Sequence, residues 1–337
     1  MNVNLGIKKV GFLYGDKKTG NDGFCEFILS KEKSPKIKDY DPDGYIPVRG
    51  KKYMSNSSKL YCNLTHQCLP NVIIEQYKKN RIGLYNCTDM PHLEDSIMFD
   101  SEAQKYGING VSPMLVPNTL ANVCSGQMAI LSGINGVNFT MTSGAVSISN
   151  ALSVVNLHIY ENFIDIAILV SMEMSSAMHS AIRQHRIRTS IEQKLQNSPE
   201  LGASILVGKS NKDDLATIIY IDSSLSINNT LEDTFNELLN GILNKQIDII
   251  LIDSGASFIN KSIINSIMNK KGINVPVIYL EEQTGICDNT GSLLSILYSI
   301  NLFNKKLRDY HNKISTILTC SFDISGYVSI QIVELKN

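Results

Sequence analysis

VSPMLVPNTLANVCSGQMAILSGINGVNFTMTSGAVSISNAL, residues 111–152, decides how the rest of the chain is read. Residues 137–142 read as a stretch of strand length, Ser143-Gly144-Ala145 is a tight small-residue turn, and Val146, Ala151, Leu152 and Val155 recur at helical spacing. The pattern predicts a buried strand, a sharp elbow at 143–146, and a helix. At such an elbow one side chain stands over a helix start, where backbone N–H groups and the macrodipole favour an anionic nucleophile. The side chain there is the methyl of Ala145, which has neither a lone pair nor an ionisable proton.

Outward from the elbow the pattern alternates. Residues 164–172 (IDIAILVSM) are a continuous apolar run, so strand, helix and strand follow one another as a β-α-β unit with a partly parallel sheet. Residues 201–209 predict another strand. The plan then repeats: strands at 217–221, 247–252 and 275–280; helices carrying Leu231, Phe235, Leu238 and Ile242, then 262–268 and 292–303; and a hairpin over 316–335. On the N-terminal side, 8–14 and 81–85 predict strands and 68–79 a helix. Residues 15 to about 58, rich in Lys, Asp, Gly and Pro, read as a surface excursion, and 86–110 as a loop with a short helix. Periodicity therefore gives an α/β chain with an internal repeat.

Composition excludes several classes. The 337 residues carry a net charge of −1 and 43% hydrophobic residues, enough for a large core and without the basic stripe of a nucleic-acid binder. Neither a signal-peptide core nor an apolar run near the roughly twenty residues of a membrane helix is visible, so a cytoplasmic protein without membrane contact is expected. The seven cysteines are scattered. Cys62-x3-His66-x-Cys68 has metal-like spacing but no second cluster to complete four ligands, so no metal and no cofactor is expected.

The run SPMLVPN, then SGQMAI, then GVNFT and the small-residue turn resembles ketosynthases of the thiolase fold. In that family the reactive cysteine lies nine residues after the first glycine of the preceding strand, and nine from Gly136 is Ala145. The Ala151-Leu152 pair on the following helix leads back to the same position. The resemblance implies a thiolase-like α/β fold of duplicated halves in five layers (αβαβα), here 1–210 and 211–337, packed as one unit. It also implies two histidines that stabilise the thioester oxygen and the enolate. Their slots hold Asp253, in IDIILIDSGAS, and Ile286, after Gly285 in TGICDNTG, and the family's lysine is replaced by Glu281. Deleting one oxyanion donor costs on the order of 10²- to 10³-fold, and a carboxylate at Asp253 would repel an enolate. No catalysis, decarboxylation included, is expected.

A scaffold of this kind without cysteine or histidines resembles the chain-length factor, the ketosynthase beta subunit of type II polyketide synthases. VPVIYLEEQTG before a Gly-small-Leu helix, the DSGAS loop, and a closing TCSFDISGYVSIQIVEL with Ser321, Phe322 and Gly326 are similar to segments of that branch. Many of its members have Gln at the position of Ala145, and the first eighty residues match poorly. The resemblance implies a heterodimer with a catalytic ketosynthase through an interface strand containing Asn138, Phe139, Thr140 and Met141. It implies exchange with an acyl carrier protein bearing malonyl or polyketide chains, and a tunnel whose length residues near 93–100 set, with Leu93, Met98 and Phe99 as candidates. Core filling is the plainer reading of those three. The basic group Arg183, His185, Arg186 and Arg188 could meet an acidic carrier or be a solvated helix face. Two alternatives stay open: an active acyltransferase using Cys124 or Cys287, and a self-associating structural protein.

Overall fold

The computed structural model describes residues 1–15, 19–30, 36–42, 44–176, 178–179, 181–182, 199–255, 259–287, 289–303 and 314–336. Its main elements in chain order are β1 (Asn2–Tyr14), α1 (Gly20–Leu29), α2 (Asn56–Cys68), β2 (Ile82–Asn86), α3 (Leu93–Tyr106), α4 (Val123–Ser132), β3 (Asn138–Thr140), α5 (Ser147–Tyr160), β4 (Ile166–Glu173) and β5 (Leu201–Lys209). There follow β6 (Ala216–Leu225), α6 (Leu231–Leu239), β7 (Ile249–Ser254), α7 (Lys261–Lys270), β8 (Val277–Tyr279), α8 (Gly291–Phe303), β9 (Thr316–Phe322) and β10 (Tyr327–Leu335).

Among the described residues the strands join in one sheet of order β3-β2-β4-β5-β1-β6-β10-β9-β7-β8. From the centre outward, β1, β5, β4, β2, β3 on one side mirror β6, β10, β9, β7, β8 on the other. Pairing is antiparallel near the centre and parallel at both outer ends. The halves are sewn together by the antiparallel β1–β6 ladder, with Leu5 opposite Ile218 and Ile7 opposite Ala216.

Both faces of the inner strands are buried, so their residues sort by parity. On β1, Phe12 and Tyr14 enter the central cluster and Leu13 the cluster beneath α2 and α4. On β7, Ile249 and Leu251 face the centre and Ile250 and Ile252 the cluster under α6 and α7. Helix α5 touches strands of both halves, and so does α8. The result is five layers: α2 and α4, the first half-sheet, the central helices α1, α5 and α8, the second half-sheet, and α6 and α7. Gln331 on β10 ties the centre together, its amide donating to Ser149 Oγ on α5 at 2.7 Å and Ser292 Oγ on α8 at 2.6 Å.

Three expectations are corrected. Part of the 15–58 stretch is core: Phe24 and Phe27 on α1 are fully buried, with ring centroids 5.4 and 5.5 Å from Phe12. The loop beyond buries Ile37 and Ile46 around Asp41, which accepts the N–H groups of Tyr45 and Ile46 and pairs with Lys51 at 2.6 Å. The Lys-, Asp-, Gly- and Pro-rich flanks of the short apolar run at 24–29 conceal this. The helix expected at 68–79 lies earlier: Ser55 caps α2 by accepting the Ser58 N–H, and Pro70 prevents its continuation, leaving one turn at Asn71–Ile74. The strand expected at 137–142 is shorter and not buried. β3 is an edge strand with Asn138 and Phe139 exposed.

No helix among the described residues is long and apolar enough to cross a membrane. If α1 belongs to the core, Phe27→Ala should lower unfolding free energy by about 3–5 kcal/mol in a urea melt. A surface segment would change it by no more than about 0.5 kcal/mol.

Candidate functional site

The elbow forms where expected. A single 3₁₀ turn over Gly144–Val146 leads from β3 into α5, and Ala145 lies buried at its tip. Gly144 has φ +57°, and a Cβ there would fall 2.1 Å from Asp323 Oδ2, so only glycine fits. Asp323 stands in the turn between β9 and β10, its Oδ1 held by the Ser325 N–H at 2.8 Å and by the Ser325 hydroxyl. The Ala145 N–H donates to Asp323 Oδ2 at 2.8 Å. The tip residue therefore has an inert methyl side chain and a backbone donor already engaged by a carboxylate.

Asp253, Glu281 and Ile286 lie around the start of α8. Asp253, at the end of β7, is fully buried and shares the strand face that points to the central layer. The Ser254 hydroxyl donates to its Oδ1 at 3.1 Å, and the Ser321 and Ser295 hydroxyls stand beside the carboxyl. Burial raises the Asp253 pKa to about 7, with Ser321, Ser254 and Ser295 holding the rise back. Helix α8 starts directly on this residue, since a Cβ on Gly291 would lie 2.9 Å from the Asp253 carbonyl oxygen. Glu281 serves the adjoining loop, its Oε1 accepting the Gly255 N–H at 2.9 Å and pinning the chain just after Asp253. Ile286 is buried in the segment leading to α8. Asp253 and Glu281 thus join through Gly255, and the 3₁₀ turn bearing Ala145 touches β9, β10 and α8.

Glu173 supplies a second carboxylate. At the end of β4 it is fully buried, and its Oε1 accepts the N–H groups of Asn289 at 2.7 Å and Thr290 at 2.9 Å, just before α8. Sequence reasoning assigned a role to neither Glu173 nor Asp323, because neither belongs to a local pattern of spacing.

The candidates on α3 do not fill the core. No residue of that helix is buried, Met98 is 58% exposed, and Leu93 and Phe99 are half-buried. Met98 borders a cavity of about 250 Å³ with Met54, Ser57, Asp95, Met174 and His179, and neither Leu93 nor Phe99 lines it. Desolvation, then the charge of Glu94, raises the Asp95 pKa to about 6. Asn138 and Phe139 are exposed on β3, the end strand of the sheet among the described residues, with Thr140 and Met141 half-buried beside them.

Other marked residues have local roles. The Cys62 and Cys68 thiols are buried, Cys68 Sγ lies 3.2 Å from Ser204 Oγ, and His66 stacks on Tyr45 at 4.0 Å between centroids. Cys124 and Cys287 are also buried, and burial raises the Cys124 thiol to about 11, far from a reactive thiolate at neutral pH. His158 Nδ1 lies 2.6 Å from the Tyr85 hydroxyl. Arg183, His185, Arg186 and Arg188 lie outside the described residues.

No family model and no curated protein matches this sequence. Solved structures do match. A chain from a complex of a type II polyketide synthase acyl-carrier protein with its ketosynthase bound to the hexaketide superposes with a TM-score of 0.80 at 14% identity, covering 99% of this chain and 100% of that one. This chain has the ketosynthase fold. The ishigamide ketosynthase/chain length factor gives 0.76 at 16% identity, covering 99% of this chain and 100% of its own. A beta-ketoacyl synthase from Burkholderia phymatum gives 0.76 at 12% identity over the full length of both chains. The thiolase-like architecture expected from the elbow is therefore borne out.

The raised pKa of Asp253 has a signed consequence. Between the ordinary carboxylate value near 4 and about 7, the folded state keeps a proton that the unfolded state has lost, so stability falls as pH rises. Asp253→Asn removes this dependence. Relative to the variant, the wild type should lose up to about 1.4 kcal/mol per pH unit across that window, read from urea midpoints at pH 4 to 8; parallel curves would show that Asp253 does not titrate there.

Proposed function

We propose that the chain is a non-catalytic chain-length factor, partnering a catalytic ketosynthase during malonyl-carrier-protein condensation. The observation that carries this reading is Ala145 at the tip of an intact elbow, its N–H already accepted by Asp323. A scaffold that keeps the turn but has no nucleophile at its tip acts through a neighbour. In this reading 1–210 and 211–337 are the two halves of one unit. One of the structures sharing the fold is itself described as a ketosynthase/chain length factor.

The surface agrees with a missing partner. Among the described residues β3 presents an unpaired edge through Asn138, Phe139 and Thr140, and nearby on the chain Met98, Ile108, Met114 and Leu120 are exposed. A ketosynthase seated there would receive the edge strand, and its polyketide would run between the subunits toward α3. Leu93, Met98 and Phe99 are then placed to set how many units fit, and an acyl carrier protein delivers the malonyl units.

Co-expression with a ketosynthase partner should give one-to-one co-purification, whereas the chain alone should be poorly soluble. Recovery of a well-behaved monomer that ignores the ketosynthase would reject the pairing. In the reconstituted pair, Met98→Ala or Phe99→Ala should lengthen the product by at least one malonyl unit, by mass spectrometry; unchanged length for both removes α3 as the gate. The chain by itself should release no carbon dioxide from malonyl-carrier protein. Release that disappears in Asp253→Asn would instead support an active decarboxylase.

A further inference from the structure

We infer, from the elbow's geometry and independently of the chain-length-factor reading, that Asp323 is a built-in latch: it occupies the backbone donor at the elbow tip and would hold any nucleophile placed at residue 145 inactive.

Acyl-transfer sites hold the developing oxyanion with backbone N–H groups, commonly including that of the nucleophile itself. Here that N–H, at Ala145, already donates to a carboxylate at 2.8 Å. The approach is tight enough that Gly144, at φ +57°, leaves no room for a side chain between the turn and Asp323 Oδ2. Ser325 fixes the carboxylate from behind through its N–H and hydroxyl, so Asp323 is braced from both sides. A negative charge at this point disfavours a second one, whether an oxyanion or a thiolate.

The sheet's internal symmetry shows that the contact is one of a pair. β4 and β9 hold equivalent places in the two halves, and each ends in a carboxylate that crosses to the other half. Asp323, after β9, closes the start of the α5 segment through Ala145, and Glu173, at the end of β4, closes the start of α8 through Asn289 and Thr290. Both interior helix starts are thus neutralised from within the molecule. The elbow carries no nucleophile at its tip and is fitted as a joint between halves.

The test uses the full chain carrying Ala145→Cys, alone and combined with Asp323→Asn or Asp323→Gly. All seven native cysteines are buried, so alkylation by iodoacetamide can be followed on the peptide bearing residue 145 by mass spectrometry as a function of pH. With Asp323 present, the new thiol should react slowly at pH 7, its midpoint above the ordinary thiol value of about 8.5. Asp323→Asn keeps the size and an acceptor but removes the charge. It should raise the rate at pH 7 at least tenfold and move the midpoint down, and Asp323→Gly should do the same. If burial alone governed reactivity, the Asn variant would be as slow as Ala145→Cys by itself, with the same midpoint. Rates within twofold and superimposable pH profiles overturn the latch, and should the Gly variant fail to fold, the Asn comparison decides. A chain that fails to pair with a ketosynthase yet shows the expected shift would sink the proposed function and leave the latch standing.

Discussion

A helix that starts inside a protein must find acceptors for its first N–H groups, because water cannot reach them. Of the three central helices, α5 behind the elbow and α8 behind Asp253 start at buried residues. The elbow's Ala145 N–H is met by Asp323 and the N–H groups preceding α8 by Glu173. In each case the carboxylate comes from the opposite half. Neither half could close its own central helix alone, and the β1–β6 ladder makes the exchange possible by fixing the halves in register.

The same constraint explains why the centre is polar. Ser149, Ser292, Ser329 and Gln331 are fully or almost fully buried, and they bond to one another between the two central helices. A purely apolar centre would pack as well but would not fix the register of α5 against α8. Asp253, outside this network, is the buried carboxyl whose pKa desolvation pushes toward neutrality.

Outside the centre the protein is asymmetric in what it covers. α2 and α4 bury the outer face of the first half-sheet, and α6 and α7 that of the second, whereas α3 has no buried residue and β3 ends the sheet among the described residues.

The sequence by itself determined the elbow, the alternation of buried strands with helices, and the inert side chain at position 145, because each is a local pattern of small or apolar residues at fixed spacing. It also marked Asp253, Glu281 and Ile286 as substituted slots. It did not show that α1 is core, since the short run holding Phe24 and Phe27 is flanked by polar stretches and meets Phe12 only once the chain has folded back. Nor could it show that Asp323 meets Ala145, or that Glu173 meets Asn289 and Thr290. Those contacts span 178, 116 and 117 residues, and no local periodicity encodes a carboxylate's destination across such separations. Only the tertiary structure, by pairing β1 with β6 and turning the two halves toward one centre, decided which charge closes which helix.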